Sequence, residues 1–120
     1  MLYTYEKDGV LTAQNTSVLF DEIAPKKLKS RKYTLTIERS STSVTGTIAV
    51  TRKKLKDNLY SPWVNLDSGL NTLDLVNLVD GNANPLSTYE FTDSDNLINE
   101  VLVIASGITG GTVRVSLIAW

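Results

Sequence analysis

Apolar and polar residues alternate one by one over two stretches in the first half of the chain. Over residues 33–38 every second residue is Tyr, Leu or Ile, and over 44–51 valine and isoleucine alternate with threonine. A period of two places one face of a strand against a core and the other in solvent, and β-branched residues suit such a half-buried sheet. Because residues 39–43 between them are few and polar, the two strands are predicted to form a β-hairpin.

The same kind of pattern recurs near the end of the sequence. Residues 101–105 are apolar without interruption, as in a strand that is buried on both faces, and residues 113–119 alternate again. The glycine-rich residues 106–111 between them predict a turn and therefore a second hairpin. Residues 97–105 also satisfy helical spacing, but the density of β-branched residues and the glycine turn favour a strand.

Several shorter strands complete the predicted secondary structure. They are expected at residues 2–5, 17–20, 63–66, 72–75 and 88–91. Turn residues separate them, and strands spaced by turns about every 8–12 residues indicate a sandwich or a barrel. The only helix expected is a turn or so near residues 21–24 or 53–59.

One domain is expected, because 120 residues suffice for a core without disulfides. The predicted fold class is all-β: a single-domain, two-sheet β-sandwich over residues 1–120, of jelly-roll type, with about eight strands. The core is expected to consist of the inward-facing residues of these strands. These are Tyr33, Leu35, Ile37, Val44, Ile48, Val50, Leu73, Leu75, Val101, Val103, Val113, Val115 and Leu117.

The basic residues are concentrated in one segment. Residues 26–56 carry ten of the twelve lysines and arginines against Glu38 alone, whereas residues 1–25 have a net charge of −3 and residues 57–120 one of −7. The total of −1 therefore conceals a polarised chain. Such a distribution bears on partners and association rather than on fold.

The first predicted hairpin would bring the two ends of this segment together as a basic, partner-binding patch. The patch comprises Lys26, Lys27, Lys29, Arg31, Lys53, Lys54 and Lys56. Three partners fit it: an acidic protein surface such as residues 57–120 of a second copy, nucleic acid, or acidic neighbours within the same molecule. The acidic pI of 5.3, the lack of a nucleic-acid-binding motif and the lack of interleaved aromatics disfavour nucleic acid.

The sequence contains no His and no Cys, which excludes a Ser-His-Asp or Cys-His arrangement. No catalytic, cofactor-binding or metal-binding residues are predicted, and no cofactor. Residues 80–84 copy the first ligand positions of a calcium loop, but Pro85 replaces the required glycine and Phe91 the bidentate carboxylate. An ordinary Asx turn is expected there instead.

Neither a leader nor a membrane span is expected. Residues 1–6 lack the basic start and the apolar run of a signal peptide. No apolar stretch approaches the roughly 20 residues needed to cross a bilayer.

Three aromatic residues form a second set of candidate binding residues. Tyr60 and Trp63 flank Pro62 in a predicted loop, and Trp120 ends an apolar run. If exposed, they would provide an aromatic platform on which a carbohydrate stacks. The alternative is that Trp63 and Trp120 close the two ends of the core, because large aromatics contribute most to a small core.

Residues 43–120 resemble a known family in the order of their segments. The segments are Gly46-Thr47-Ile48-Ala49-Val50-Thr51-Arg52, Trp63-Val64-Asn65-Leu66, Gly69-Leu70-Asn71-Thr72-Leu73-Asp74-Leu75, residues 97–105, Gly107-Ile108-Thr109-Gly110-Gly111 and Val113-Arg114-Val115-Ser116-Leu117. This order is similar to that of small all-β accessory proteins of tailed-bacteriophage virions. Those proteins sit on capsids or at head and tail junctions as decoration or cement subunits, and they share no catalytic residues.

The resemblance implies a non-enzymatic virion structural protein that binds and stabilises or decorates a capsid or its junctions. The implied partners are the major capsid protein or other virion subunits, the implied form is a homo-oligomer with a trimer favoured, and the implied location is the virion. Two alternatives stay open: a carbohydrate-binding β-sandwich module, and a nucleic-acid-binding protein that uses the basic patch. The strand ends at residues 2–5 and 118–120 either pair with each other or with a neighbouring subunit.

Overall fold

A computed structural model describes residues 4–23, 31–57, 59–65 and 69–120. Within these ranges the chain forms nine β-strands and one turn of 3-10 helix. The strands are β1 (Tyr5–Leu11), β2 (Ser17–Phe20), β3 (Arg31–Arg39), β4 (Thr45–Lys54), β5 (Ser61–Pro62), β6 (Thr72–Asp74), β7 (Thr88–Asn96), β8 (Ile98–Thr109) and β9 (Val113–Ala119), and the 3-10 turn is Leu75–Asn77.

The strands form two antiparallel sheets packed face to face. One sheet has the order β1-β9-β3-β7, and the other has the order β2-β8-β4-β5, with β6 also beside β4. Because β5 and β6 run end to end along the same edge of β4, they act as one interrupted strand. Counted in this way, the chain has eight strands, and their order in the two sheets is that of a jelly roll. The predicted two-sheet β-sandwich is confirmed.

Both predicted hairpins are wrong, although the strands themselves exist. β3 pairs with β7 and β9, whereas β4 pairs with β8 in the other sheet. β8 and β9 are likewise in different sheets. The short connections after β3 and after β8 therefore cross from one sheet to the other. A hydrogen bond joins the two crossings, because the Ser40 N–H donates to the Thr112 carbonyl at 2.9 Å.

The segment around residues 97–105 is a strand, as predicted, and not a helix. It is buried on one face only, contrary to the prediction, because Val101, Val103 and Ala105 point into the core while Ile104 points outward. The strand also continues through Gly107 to Thr109, so the turn is shorter than predicted.

Most of the shorter strands differ from prediction at their ends. The strand at residues 17–20 is confirmed, and β7 starts at the predicted Thr88 but runs on to Asn96. β6 stops at Asp74, whose carboxylate accepts the Val76 N–H at 3.2 Å and starts the 3-10 turn.

The remaining expectations on secondary structure were less accurate. β1 begins at Tyr5, where the predicted strand 2–5 ended, and residues 2 and 3 lie outside the described residues. The strand near Trp63 lies two residues earlier, at Ser61–Pro62, and residue 66 also lies outside the described residues. In the described parts of the two segments 21–24 and 53–59 there is no helix.

The core lies between the two sheets and matches the predicted positions closely. All thirteen of them are buried except Leu73, which is partly buried against the core. Phe20, Trp63 and Phe91 add bulk, and the rings of Trp63 and Phe91 meet edge to face with their centroids 6.3 Å apart. A fully buried side chain of this kind stabilises the fold by roughly 1.5–3 kcal/mol.

The two end strands pair with each other. Tyr5 lies opposite Ala119, and the register continues to Leu11 opposite Val113. Trp120 is held beyond the end of β9 by two backbone hydrogen bonds to Lys32, of 2.8 and 3.0 Å. β9 is therefore a central strand, and β1 is an edge of its sheet.

Candidate functional site

The predicted basic patch is only partly within the described residues. Lys26, Lys27 and Lys29 lie outside them, and so does the side chain of Arg31. Of the other three members, Lys53 and Lys54 end β4 and Lys56 follows in a turn. Since β3 and β4 belong to different sheets, strand pairing does not bring the two halves of the patch together.

Acidic residues of the same chain neutralise two of the basic residues at this end of β4. Arg52 forms an ion pair with Asp93 of β7, across the gap between the sheets, and Lys53 forms one with Glu100 of β8. The hydrogen bond that the Lys53 ammonium donates to the Glu100 carboxylate is the main reason why the pKa of Lys53 is raised above its usual value. The charge polarity of the sequence is therefore partly compensated inside the molecule.

The three candidate platform aromatics have different surroundings. Trp63 is fully buried, and its indole N–H donates to the Thr92 carbonyl at 3.3 Å, so it cannot present a ring face to a ligand. Tyr60 is partly exposed beside Lys53, whose Nζ lies 5.5 Å from the ring centroid. Trp120 is 52% exposed. Only Trp63 therefore closes the core, and Trp120 remains available at the surface.

Trp120 stands at the rim of an open groove with a volume of 630 Å³. The groove lies where the start of β3 meets the end of β7. Arg52 of β4 and Val64, which follows β5, also line it. Lys32, Thr34, Thr92 and Asp93 supply its polar lining. A volume of this size lies within the range of small-molecule sites, which is about 300–1,000 Å³.

A β-bulge shapes the edge of this groove. Arg31 lies opposite Asn96 and Tyr33 opposite Asp93, so β7 has one more residue than β3 across this interval. A bulge bends its strand and re-aims the neighbouring side chains. Asp93, at one side of the bulge, forms the ion pair with Arg52, and Lys32 lies opposite the bulge.

The ion pair between Arg52 and Asp93 is mostly shielded from water. Their side chains are 19% and 8% exposed, and burial lowers the pKa of Arg52 below its usual value. The Arg52 Nε is buried and finds no hydrogen-bond acceptor in the described part of the chain. The pair thus fixes a guanidinium and a carboxylate beside each other at the groove.

The outer face of the second sheet carries an apolar band formed by Leu19, Leu102 and Ile104. Leu19 lies opposite Leu102, and Ile104 is the next outward residue of β8. Leu19 is 50% exposed and Ile104 is 45% exposed, whereas Leu102 is half-buried. Single exposed apolar residues are common on protein surfaces, whereas a contiguous exposed apolar patch is often a site of contact with another molecule.

The loop at residues 80–84 is an Asx turn, as expected. The Asp80 carboxylate accepts the N–H groups of Asn82 and Asn84 at 2.8 and 3.0 Å. These hydrogen bonds lower the pKa of Asp80, and the one from the Asn84 N–H has the largest effect. The carboxylate is thus occupied by local donors, and no group of three or more acidic side chains that could hold a metal ion occurs among the described residues.

The groove and the apolar band were not foreseen from the sequence. Lys32, Asp93 and Trp120 are far apart in the chain and meet only through the sheet pairing. The band had a detectable signal, because Leu19, Leu102 and Ile104 are apolar residues at the outward positions of their strands. The alternation of apolar and polar residues indicates the inward face of a strand, and the band consists of apolar residues on the opposite face.

Comparison with protein-family models and with curated proteins finds no match to this chain. In the part that the structure describes, no helix is long and apolar enough to span a membrane.

Proposed function

We propose that this chain is a non-enzymatic structural protein of a virion, which binds a capsid or its junctions as a decoration or cement subunit. The observation that carries the proposal is the apolar band of Leu19, Leu102 and Ile104 on a jelly-roll domain. An exposed, contiguous apolar surface on a small domain fits a contact with another protein.

The fold supports the proposal by analogy. Jelly rolls occur in viral capsid and lectin domains, and a fold by itself does not imply one function. The order of segments in residues 43–120 resembles phage accessory proteins, which favours the capsid use of the fold. The partners we propose are the major capsid protein or another virion subunit.

The sheet geometry suits a binding role. Leu102 and Ile104 lie on β8, a central strand with a long register against β4, and Leu19 lies on the edge strand β2 beside it. Two of the three band residues therefore sit on a well-ordered strand, which limits the conformational entropy lost on docking. The ion pair of Lys53 with Glu100 borders the band and gives it a polar rim. Each copy would add a modest contact, and many copies on one shell would bind by avidity.

The homotrimer that the resemblance implies is part of this proposal. Copies joined around a symmetry axis would present several bands to a shell at once. Light scattering of the purified protein at low and high salt measures the mass of the assembly and its dependence on charge.

Binding to virions assembled without this chain tests the proposal. We expect the purified protein to co-sediment with virions from a phage in which its gene is deleted. The Ile104→Asp variant should bind at least roughly ten-fold more weakly, because it places a charge in the apolar contact. Val10→Asp is the matched control, since Val10 is also 45% exposed but lies on β1 of the other sheet.

Two results would reject the proposal. One is a wild-type protein that stays in the supernatant with these virions. The other is equal binding by the Ile104→Asp variant, which would show that the band is not the contact.

A further inference from the structure

We infer that the groove beside Trp120 binds a saccharide that carries a carboxylate. The groove is separate from the apolar band, because its polar lining comes mainly from β3 and β7, whereas the band belongs to β2 and β8. The inference therefore does not rest on the proposed capsid contact.

Trp120 provides the stacking surface. It is half exposed at the groove, while its backbone is fixed by the N–H···O pair with Lys32, at 2.8 and 3.0 Å. A sugar ring has a face of C–H groups that packs on an aromatic ring, and its edge carries hydroxyl groups. An exposed ring on a backbone held in this way, next to polar side chains, accommodates both.

The ion pair of Arg52 and Asp93 is 19% and 8% exposed, and the part of it that is open to the groove suits the hydroxyl groups of a sugar. A carboxylate accepts hydrogen bonds from hydroxyls and a guanidinium donates to them, both in planar, directed geometry. The mutual pairing of these two side chains holds them in place before any ligand arrives. Thr34 and Thr92, which face each other across β3 and β7, add hydroxyl groups.

Lys32 favours a ligand with a negative charge. It lines the groove and, unlike Arg52, forms no ion pair with a described carboxylate. Among the side chains that line the groove, Lys32 and Arg52 carry one more unit of charge than Asp93, which favours one carboxylate on the ligand. A nucleic-acid strand fits less well, because Asp93 repels phosphates and phosphodiesters have no donor to offer it.

An array of immobilised glycans tests this inference. The array holds oligosaccharides with uronic or sialic acid residues, each beside a neutral counterpart, and a single-stranded oligodeoxynucleotide is included. We expect retention of acidic glycans in preference to their neutral counterparts, and no retention of the oligonucleotide. Trp120→Ala should weaken the retention roughly ten-fold, whereas Trp120→Phe should keep most of it.

Two further variants separate the contributions. Lys32→Gln should abolish the preference for acidic over neutral glycans, and it tests the inference even if Trp120→Ala fails to fold. Tyr60→Ala is the control for an exposed aromatic outside the groove, and it should bind as the wild type does.

Several results would overturn the inference. They are no glycan retained by the wild type, equal retention of acidic and neutral members, preferential retention of the oligonucleotide, unchanged binding by Trp120→Ala, and a loss of binding by Tyr60→Ala. Because none of these measurements involves virions, failure here leaves the capsid proposal to its own test.

Discussion

Arg39 is a buried cation whose partners are backbone carbonyls. Its guanidinium donates to the carbonyls of Leu86, Val44, Leu75 and Leu78 over distances of 2.7 to 3.2 Å. The planar fork of an arginine can satisfy several acceptors at once, and a lysine cannot match that geometry. Arg39 thus joins the crossing after β3 to the segment around the 3-10 turn.

Replacing Arg39 with Met is expected to destabilise the domain by about 3 kcal/mol or more. The change leaves several buried carbonyls without a donor, and each such group costs roughly 1–3 kcal/mol. Urea unfolding followed by circular dichroism measures the loss. Arg114→Met is the matched control, because the ion pair of Arg114 with Asp8 is exposed and should contribute about 0–1 kcal/mol. Similar losses for the two variants would contradict this view of Arg39.

At the scale of the strands, the pairing of β4 with β8 contains a β-bulge. The register shifts between Thr45 and Thr47, and Gly46 adopts a φ of +133°. A β-carbon at Gly46 would lie 2.8 Å from Ile108 Cδ1 and 3.0 Å from the carbonyl oxygen of Gly107. Two backbones therefore approach each other here as only a glycine permits.

Gly46→Ala is expected to lower the free energy of unfolding by about 1–3 kcal/mol, because it combines an unfavourable φ with a steric clash. Chemical denaturation measures the change. The control is Gly81→Ala, since an added β-carbon there has no heavy atom within 4 Å. An unchanged midpoint for Gly46→Ala would mean that the bulge relaxes without cost.

The strands were predictable because the signal for a strand is local. Alternation over a few residues identified which residues of β3, β4 and β9 face the core. For β8 the unbroken apolar run identified the strand but not which of its faces is buried. It carries no information on which strand lies alongside, and the short connections suggested hairpins that do not exist. The two crossings direct the strands into different sheets, and the bulge of β8 opposite Gly46 shifts the register of one pairing. Both features depend on packing between distant segments. The groove was beyond prediction for the same reason.

At the scale of the whole molecule, the strands alternate between the sheets along most of the chain. β1, β3, β7 and β9 belong to one sheet, and the strands between them belong to the other. Neither sheet can form from one continuous half of the sequence. We therefore expect the domain to unfold in one cooperative step.

Ile48→Asp is expected to abolish folding of both sheets. Ile48 is fully buried on central strand β4, between Leu73 and Ala105 of the neighbouring strands. An unpaired carboxylate there costs a large share of a total stability that is about 5–15 kcal/mol in most proteins. Ile104→Asp makes the same chemical change on the outer face of the same sheet and should still melt cooperatively in a calorimeter. A folded Ile48→Asp protein would be inconsistent with this register.

The two tryptophans have contrasting surroundings, so their intrinsic fluorescence reports on two different parts of the protein. Trp63 is fully buried and Trp120 is half exposed. An ionic quencher such as iodide should therefore quench the fluorescence of Trp120 and leave that of Trp63 unchanged. A ligand in the groove would change the emission of Trp120, whereas unfolding of the core would change that of Trp63. The two events can then be followed separately in one unlabelled sample.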